Sequence, residues 1–209
     1  AFLVFDWLLP LLRRHGSLRN WPFAGAGLLL SLGLRLSLFN FESDDYLGGG
    51  FADWYDFIEQ NGGFSALKAN NFTTYNVLYL YLLAGLTYLP LHKLYAIKLL
   101  SVAFDYLAAW AVYKTVSLKY GPGYRAALSA FALLFAPTVL LNGSFWAQND
   151  ILYTSLLLWC FYFMLKMAQQ LPQSSAKWPK GNLLAAISMV WLAISFMFKL
   201  QAVFFALPV

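Results

Sequence analysis

Residues 73–91, TTYNVLYLYLLAGLTYLPL, decide how the chain is threaded. A helix crossing a bilayer takes about 20 predominantly apolar residues, with a range near 17–25, so this stretch is long enough to cross. It is one of six such runs, at roughly 21–39, 73–91, 95–113, 126–141, 151–167 and 182–198. If all six cross with the N-terminus inside, the flanking cations divide six inside against seven outside, which is no asymmetry. If 73–91 instead lies along or dips into the outer face, Arg13, Arg14, Arg19, Lys114, Lys119, Arg125, Lys166, Lys177 and Lys180 fall inside. Only Lys68, Lys93, Lys98 and Lys199 then fall outside, and nine against four is the bias that the positive-inside rule expects. The reading is five crossings and one helix that does not cross.

Composition sets the class around that choice. Of 209 residues, 61% are hydrophobic, 19% aromatic and 11% charged, with a mean hydropathy of +0.60. Soluble domains carry about 25% charged and 45–50% apolar residues. A soluble enzyme, a disordered tail, a nucleic-acid-binding domain and a disulfide scaffold are thereby excluded. The net charge of +5 reports topology here rather than a polyanionic partner. Cys160 is the sole cysteine, so no intrachain disulfide can form. The expected fold is all-α: a polytopic membrane helix bundle of about five transmembrane helices. Juxtamembrane and amphipathic helices are expected in a large first extracytoplasmic loop at 40–93. All of 1–209 reads as one transmembrane domain, and the apolar end at Phe204–Val209 reads as the interior of a longer protein. Phe2–Leu12, broken by Asp6 and Pro10, is expected to be an interfacial helix.

The non-crossing choice puts the purposeful polar groups on one face. The first outer segment holds Glu42, Asp44, Asp45, Asp53, Asp56 and Glu59, six of nine acidic residues. Within it Phe51, Trp54, Tyr55 and Ile58 recur at helical spacing and Asn61-Gly62-Gly63 follows, which predicts an amphipathic helix suited to the interface. The loop 142–150 and the pair Lys199 and Gln201 fall on that same side. On charge pattern alone Asp44-Asp45 is a solvated acidic loop. Asn149 or Asp150 is a natural N-cap for the run that follows, whereas the alternation Trp146, Gln148, Asp150 exceeds what capping needs. Lys199 is open to two accounts, snorkelling to the interface or a functional charge.

Asp105 stands in the middle of an apolar run, where a carboxylate costs about 2.5–3.5 kcal/mol on insertion scales. It calls for a buried partner, and Arg35 and Lys98 are the candidates. His15 and His92 form no ligand-spaced set, so no metal or other cofactor is expected.

Five blocks then carry a resemblance: SDDYLGGGFADWYDFIEQNGGF, NFTTYNVLYLYLL, AIKLLSVAFDYLAAWAVY, PTVLLNGSFWAQNDILYTSLLL and FMFKLQAVFFALP. In this order they resemble the bacterial relatives of the GPI mannosyltransferase that adds the second mannose, within the GT-C membrane glycosyltransferases. The resemblance covers about 40–209 and implies transfer of a sugar, mannose, from a polyprenyl-phosphate donor to an acceptor hydroxyl outside the cytoplasm. It places the catalytic aspartate at Asp45 in an S-x-D-Y context that includes Tyr46. Asp44 stands where relatives often have glycine, so both carboxylates are candidates. The W-x-Q-x-D element marks Trp146, Gln148 and Asp150, and the last block Lys199 and Gln201. The relatives are longer, so the chain is expected to be an N-terminal part. The expected location is the bacterial inner membrane, or the endoplasmic reticulum membrane if the source is eukaryotic. Attack on an anomeric carbon needs a carboxylate to take the proton, here Asp45, and positive charge for the departing phosphate, here Lys199. Gln148, Asp150 and Gln201 can position sugar or phosphate. Two other readings stand beside it: a non-catalytic membrane subunit of a larger assembly, and a transporter relay through Asp105, Arg35 and Lys199.

Overall fold

The structure, a computed structural model, describes residues 21–48, 50–69, 72–170 and 179–206. The expected interfacial helix at 2–12, the cations Arg13, Arg14, Arg19 and Lys177, and most of the polar linker at 169–182 lie outside the described residues. Among the described residues every regular element is helical and there is no strand. In chain order they are α1 (Trp21–Ser37), α2 (Asp44–Leu47), α3 (Phe51–Gln60), a 3₁₀ turn (Gly63–Lys68), α4 (Val77–Leu86) and α5 (Lys93–Tyr120). These are followed by α6 (Tyr124–Leu134), α7 (Pro137–Leu140), a π turn (Leu141–Phe145), α8 (Asp150–Gln170) and α9 (Pro179–Phe198). A 3₁₀ turn (Leu200–Ala202) and α10 (Val203–Ala206) complete the chain.

Three of these segments, Lys93–Tyr120, Asp150–Gln170 and Gly181–Phe198, are long and apolar enough to cross a membrane. A fourth span exists if the bent pair Tyr124–Leu134 and Pro137–Phe145 is counted as one. Two shorter apolar helices, Ala24–Ser37 and Val77–Leu86, stand beside them. The apolar run at 126–141 is thus not the continuous helix its composition suggests. Pro137 disfavours helical geometry at the residue before it, and Ala136 is extended at φ −62°, ψ 125°. The axis turns by 51° there. The run at 73–91 contracts to the ten residues of α4, about 15 Å of helix against a hydrocarbon core of about 30 Å.

The long helix α5 is the centre of the bundle, packed against α6 and α8, with α9 against α8. Its buried face is rich in small residues, Ala96, Ala108, Ala109 and Ala111, which let neighbours approach closely. Two buried cations tie α1 to it. Arg35 Nε donates to Asp105 Oδ2 at 2.9 Å, both side chains fully buried. Its Nη1 reaches the Ser31 carbonyl and hydroxyl, and its Nη2 the carbonyl of Leu134 on α6. Lys98, the other candidate partner of Asp105, donates instead to the carbonyls of Leu38, Phe39 and Phe41, just beyond the C-terminus of α1. A cation belongs there, where carbonyls are left without amide partners.

The amphipathic face of α3 is not spent on an interface. Phe51, Ala52, Tyr55 and Ile58 are buried in the core with α4, and the Tyr55 hydroxyl donates to the Leu86 carbonyl at 3.3 Å. Gly50 turns the chain into α3 at φ +90°, and a Cβ there would lie 2.8 Å from the Trp54 ring.

Contacts gather the termini at two ends. Lys93 pairs with Asp56, Asn76 with the Phe198 carbonyl and Lys199 with Asp150, so α3, the starts of α4, α5 and α8, and the end of α9 share one end. Gln169 bonds the Leu118 carbonyl at the other. Glu42, Asp44, Asp53, Asp56, Glu59 and Asp150 lie at the first end; Lys114, Lys119, Arg125 and Lys166 lie toward the second, which has no carboxylate among the described residues.

Asp105→Ala should destabilise the protein by about 3–5 kcal/mol, because it strands a buried guanidinium. The paired change Arg35→Leu with Asp105→Leu should recover most of that loss. Thermal unfolding in detergent compares the three proteins, and a double variant no better than the single would separate the ion pair from the stability.

Candidate functional site

The candidate site is built from three segments at the carboxylate-rich end, with 146–150 touching both 43–46 and 195–201, and Tyr75 and Asn76 beside the second contact. Ser43 joins the first two. Its hydroxyl donates to the Trp146 carbonyl at 2.6 Å and accepts the Tyr46 amide at 3.2 Å, the N-cap geometry for the single turn of α2. Stacking of Phe41 on Phe145, with centroids 3.6 Å apart, reinforces the junction. Asp44 is exposed; Asp45 lies in the same turn, and its side chain is outside the described set. Tyr46 is buried with its hydroxyl unpartnered, and burial, then Glu42 and Asp56, push its phenol up to about 12.

The alternation expected at 146–150 is broken at Ala147, which is fully buried at φ +61°. Left-handed backbone costs a non-glycine residue about 1–2 kcal/mol, and three hydrogen bonds hold it. Ser43 takes the Trp146 carbonyl, Ser101 Oγ the Gln148 carbonyl at 2.8 Å, and the Gln148 amide reaches the Asn142 carbonyl at 2.9 Å. Trp146 is therefore turned outward, 46% exposed, and Gln148 is half-buried.

Asp150 and Lys199 are brought together as an ion pair between α8 and the end of α9. Both are partly open, at 40% and 27% side-chain exposure. The Tyr153 ring lies 5.9 Å from the Lys199 ammonium. Burial draws the Lys199 pKa down, but its hydrogen bond to Asp150 and the Asp150 charge outweigh that, and the net shift is upward. The lysine stays charged. Its backbone breaks from α9 into extended geometry at φ −158°. Gln201 is exposed, with no side-chain hydrogen bond among those described, so it is not drawn into the pair.

Two residues beside the pair escaped the sequence reading. The Tyr75 hydroxyl donates to Asn149 Oδ1 at 2.8 Å and accepts from Nδ2 at 2.5 Å, and Asn76 holds the Phe198 carbonyl at 2.6 Å. Burial raises the Tyr75 phenol, against the opposing pull of Asn149 and Lys199. Trp54 and Phe51 lie edge-on or tilted against Tyr75, forming an aromatic wall that continues into the core. A Y-N pair ahead of an apolar helix was the available signal, but nothing local names a partner so distant in sequence. Asp105 and Arg35 sit deeper, bonded to each other. Among the described residues no group of three or more His, Cys, Asp or Glu side chains is placed to hold a metal.

The arrangement offers an accessible ammonium and carboxylates at one end of an apolar bundle. No family model matches the chain, and comparison with curated proteins and with solved structures finds no match.

Tyr75→Phe should destabilise the protein by about 1–3 kcal/mol, because the Asn149 amide, 6% exposed, loses its partner. Adding Asn149→Leu should return part of that, since both polar groups are then gone. Unfolding midpoints of the two variants read the difference.

Proposed function

We propose that this chain carries the reaction face of a membrane glycosyltransferase that moves a sugar, mannose, from a polyprenyl-phosphate donor to an acceptor hydroxyl at the extracytoplasmic surface. The observation that carries the reading is the junction of α2, with Asp44 and Asp45, to the segment whose Asp150 holds Lys199. The resemblance of the same five blocks to GT-C mannosyltransferases supports it. The acceptor oxygen forms a bond to the anomeric carbon as the bond to the phosphate oxygen breaks. A carboxylate of α2, Asp45 first, takes the hydroxyl proton. Negative charge accumulates on the departing polyprenyl phosphate, which Lys199 stabilises with ammonium protons not spent on Asp150. Gln148 and Trp146 border the sugar, Tyr46 lies buried behind them, and Gln201 meets the lipid phosphate. The lipid donor presents its head group at the membrane surface, which is where these side chains belong. In this reading α1, α5, the bent α6–α7 pair, α8 and α9 make five crossings, and α3 and α4 lie in the first outer loop. The protein then resides in a bacterial inner membrane or, in a eukaryote, the endoplasmic reticulum.

One observation favours a second reading, a non-catalytic subunit of a larger membrane assembly. Asp150 neutralises Lys199 and ties α9 to α8 with no ligand needed.

The two readings differ in transfer assays on membranes containing the protein. Asp45→Asn should keep insertion and folding and lose transfer, with Asp44→Asn doing less. Lys199→Met should lower transfer about 10²–10³-fold, the scale of one preorganised charge, and Lys199→Arg should restore part of it. Near-normal transfer by a doubly neutral Lys199→Gln, Asp150→Asn protein would assign the pair to architecture alone.

The five crossings have their own test. In a Cys160→Ser background, cysteines at Ser65 and Gln201, both exposed, should label from one side of the membrane, and one at Pro122 from the other. Labelling of 65 and 201 from opposite sides would overturn the shared site.

A further inference from the structure

The end of the bundle opposite the carboxylates carries a feature the proposed reaction does not use. A groove of about 370 Å³ runs between the C-terminal turns of α5 and α8, lined by Thr115, Leu118, Lys119, Leu165, Ala168 and Gln169. Beside it two cations converge on one ring. The Lys119 ammonium is 5.3 Å from the Tyr120 ring centre and the Arg125 guanidinium 5.0 Å. Lys119 has a local reason to be there, since it ends α5 and complements the helix dipole. Arg125 has none. It occupies the first turn of α6, whose amide end disfavours a cation, and no acidic residue shares that turn. No carboxylate lies at this end among the described residues, while the counter-charge gathers at the far end of the helices. Like charges drawn to one aromatic ring without an anion repel. An external anion of the membrane face would complete the site.

We propose that this groove binds one anionic phospholipid. An acyl chain lies between α5 and α8 along Leu118, Leu165 and Ala168, and the headgroup phosphate meets Lys119 and Arg125. Both chemistries are required together: an apolar channel alone takes any lipid, and two exposed cations alone take any anion. Phosphate accepts charge-assisted hydrogen bonds from lysine and arginine alike, and the guanidinium fork binds two oxygens at once. Tyr120, 51% exposed beside both cations, is the kind of aromatic that membrane interfaces favour. The inference requires only that α5 and α8 span a membrane, and it stands whether or not the chain transfers a sugar.

The test is native mass spectrometry of the whole chain in detergent, titrated with phosphatidylglycerol or with phosphatidylcholine of identical acyl chains. One phosphatidylglycerol should bind at least tenfold more tightly than phosphatidylcholine. Lys119→Gln with Arg125→Gln should weaken it about 30-fold, the product of two cations each worth about fivefold near an anionic surface. Lys119→Arg with Arg125→Lys should retain it. Ala168→Trp, which fills the exposed side of the groove and leaves every charge in place, should weaken binding as well. Circular dichroism certifies that each variant is folded. Equal affinity for the two lipids, or full binding by the charge-neutral variant, would overturn the proposal. Full binding by Ala168→Trp together with displacement by inorganic phosphate would overturn it too, since the site would then take a free anion rather than a lipid.

Discussion

The architecture depends on the guanidinium of Arg35. A buried charge is tolerated only when its hydrogen-bonding capacity is met and a counter-charge is present. Here every nitrogen is engaged: Nε with Asp105, Nη1 with Ser31 and Nη2 with Leu134. Those partners lie on α1, α5 and α6, so meeting one side chain's requirements fixes three helices relative to each other. The opposite oxygen of Asp105 has no hydrogen-bond partner, and the carboxylate lies directly against Gly143. A Cβ at Gly143 would be 3.2 Å from that of Ser101 and under 4 Å from both carboxylate oxygens. Glycine at that position lets the π turn close over the ion pair, where a Cβ would press Ser101 aside by a few tenths of an ångström.

That closure explains how the structural pair governs a site it does not enter. The π turn delivers the chain into Trp146–Asp150, where the left-handed Ala147 reverses its direction and sends Trp146 outward. A strained residue of this kind persists only when its surroundings over-determine it. Here Ser43, Ser101 and Asn142 supply the fixed points. Ser43 is itself positioned because Lys98 gathers the three carbonyls that precede it. Two buried cations on the α1–α5 seam thus set the distance between α2 and the start of α8. Burial of polar groups, usually a cost, here aligns a surface site.

Much of this frame was legible in the sequence, for reasons that differ by element. Apolar runs report helices because a membrane or a core rewards continuous hydrophobicity. The runs at 95–113, 151–167 and 182–198 accordingly lie within α5, α8 and α9. The run at 126–141 misled because hydropathy ignores backbone geometry, and Pro137 breaks a helix without making it less apolar. Phe51, Trp54, Tyr55 and Ile58 announced α3, but periodicity states that a face is covered and not by what; protein covers it here. A mid-run aspartate announced that a partner exists. Choosing Arg35 over Lys98 required knowing that the α1 carbonyls would claim the lysine. Of the candidate site, Asp150 and Lys199 could be named from their positions near helix ends. Their contact with each other, and the bond of Tyr75 to Asn149, join residues 49 and 74 positions apart, a separation that no local pattern encodes.

Comparison of the cations drawn into the bundle separates structure from availability. Arg35 and Lys98 are fully buried, and the three ammonium protons of Lys98 match its three carbonyl partners. Lys98 retains no donor and Arg35 one of five, and neither side chain is open to anything that arrives from outside. Lys199 has one hydrogen bond, to Asp150, and the face of Tyr153, with 27% of its side chain open. An ammonium has three donors, so two remain for a ligand, and Asp150 keeps the group charged and aimed while it waits. The same carboxylate opposes an incoming phosphate, so binding there must displace or share it. A site with that balance holds an anion weakly in the ground state and responds most when charge on the ligand grows. In the proposed transfer, that balance would favour a departing phosphate, on which negative charge grows, over one held in the ground state.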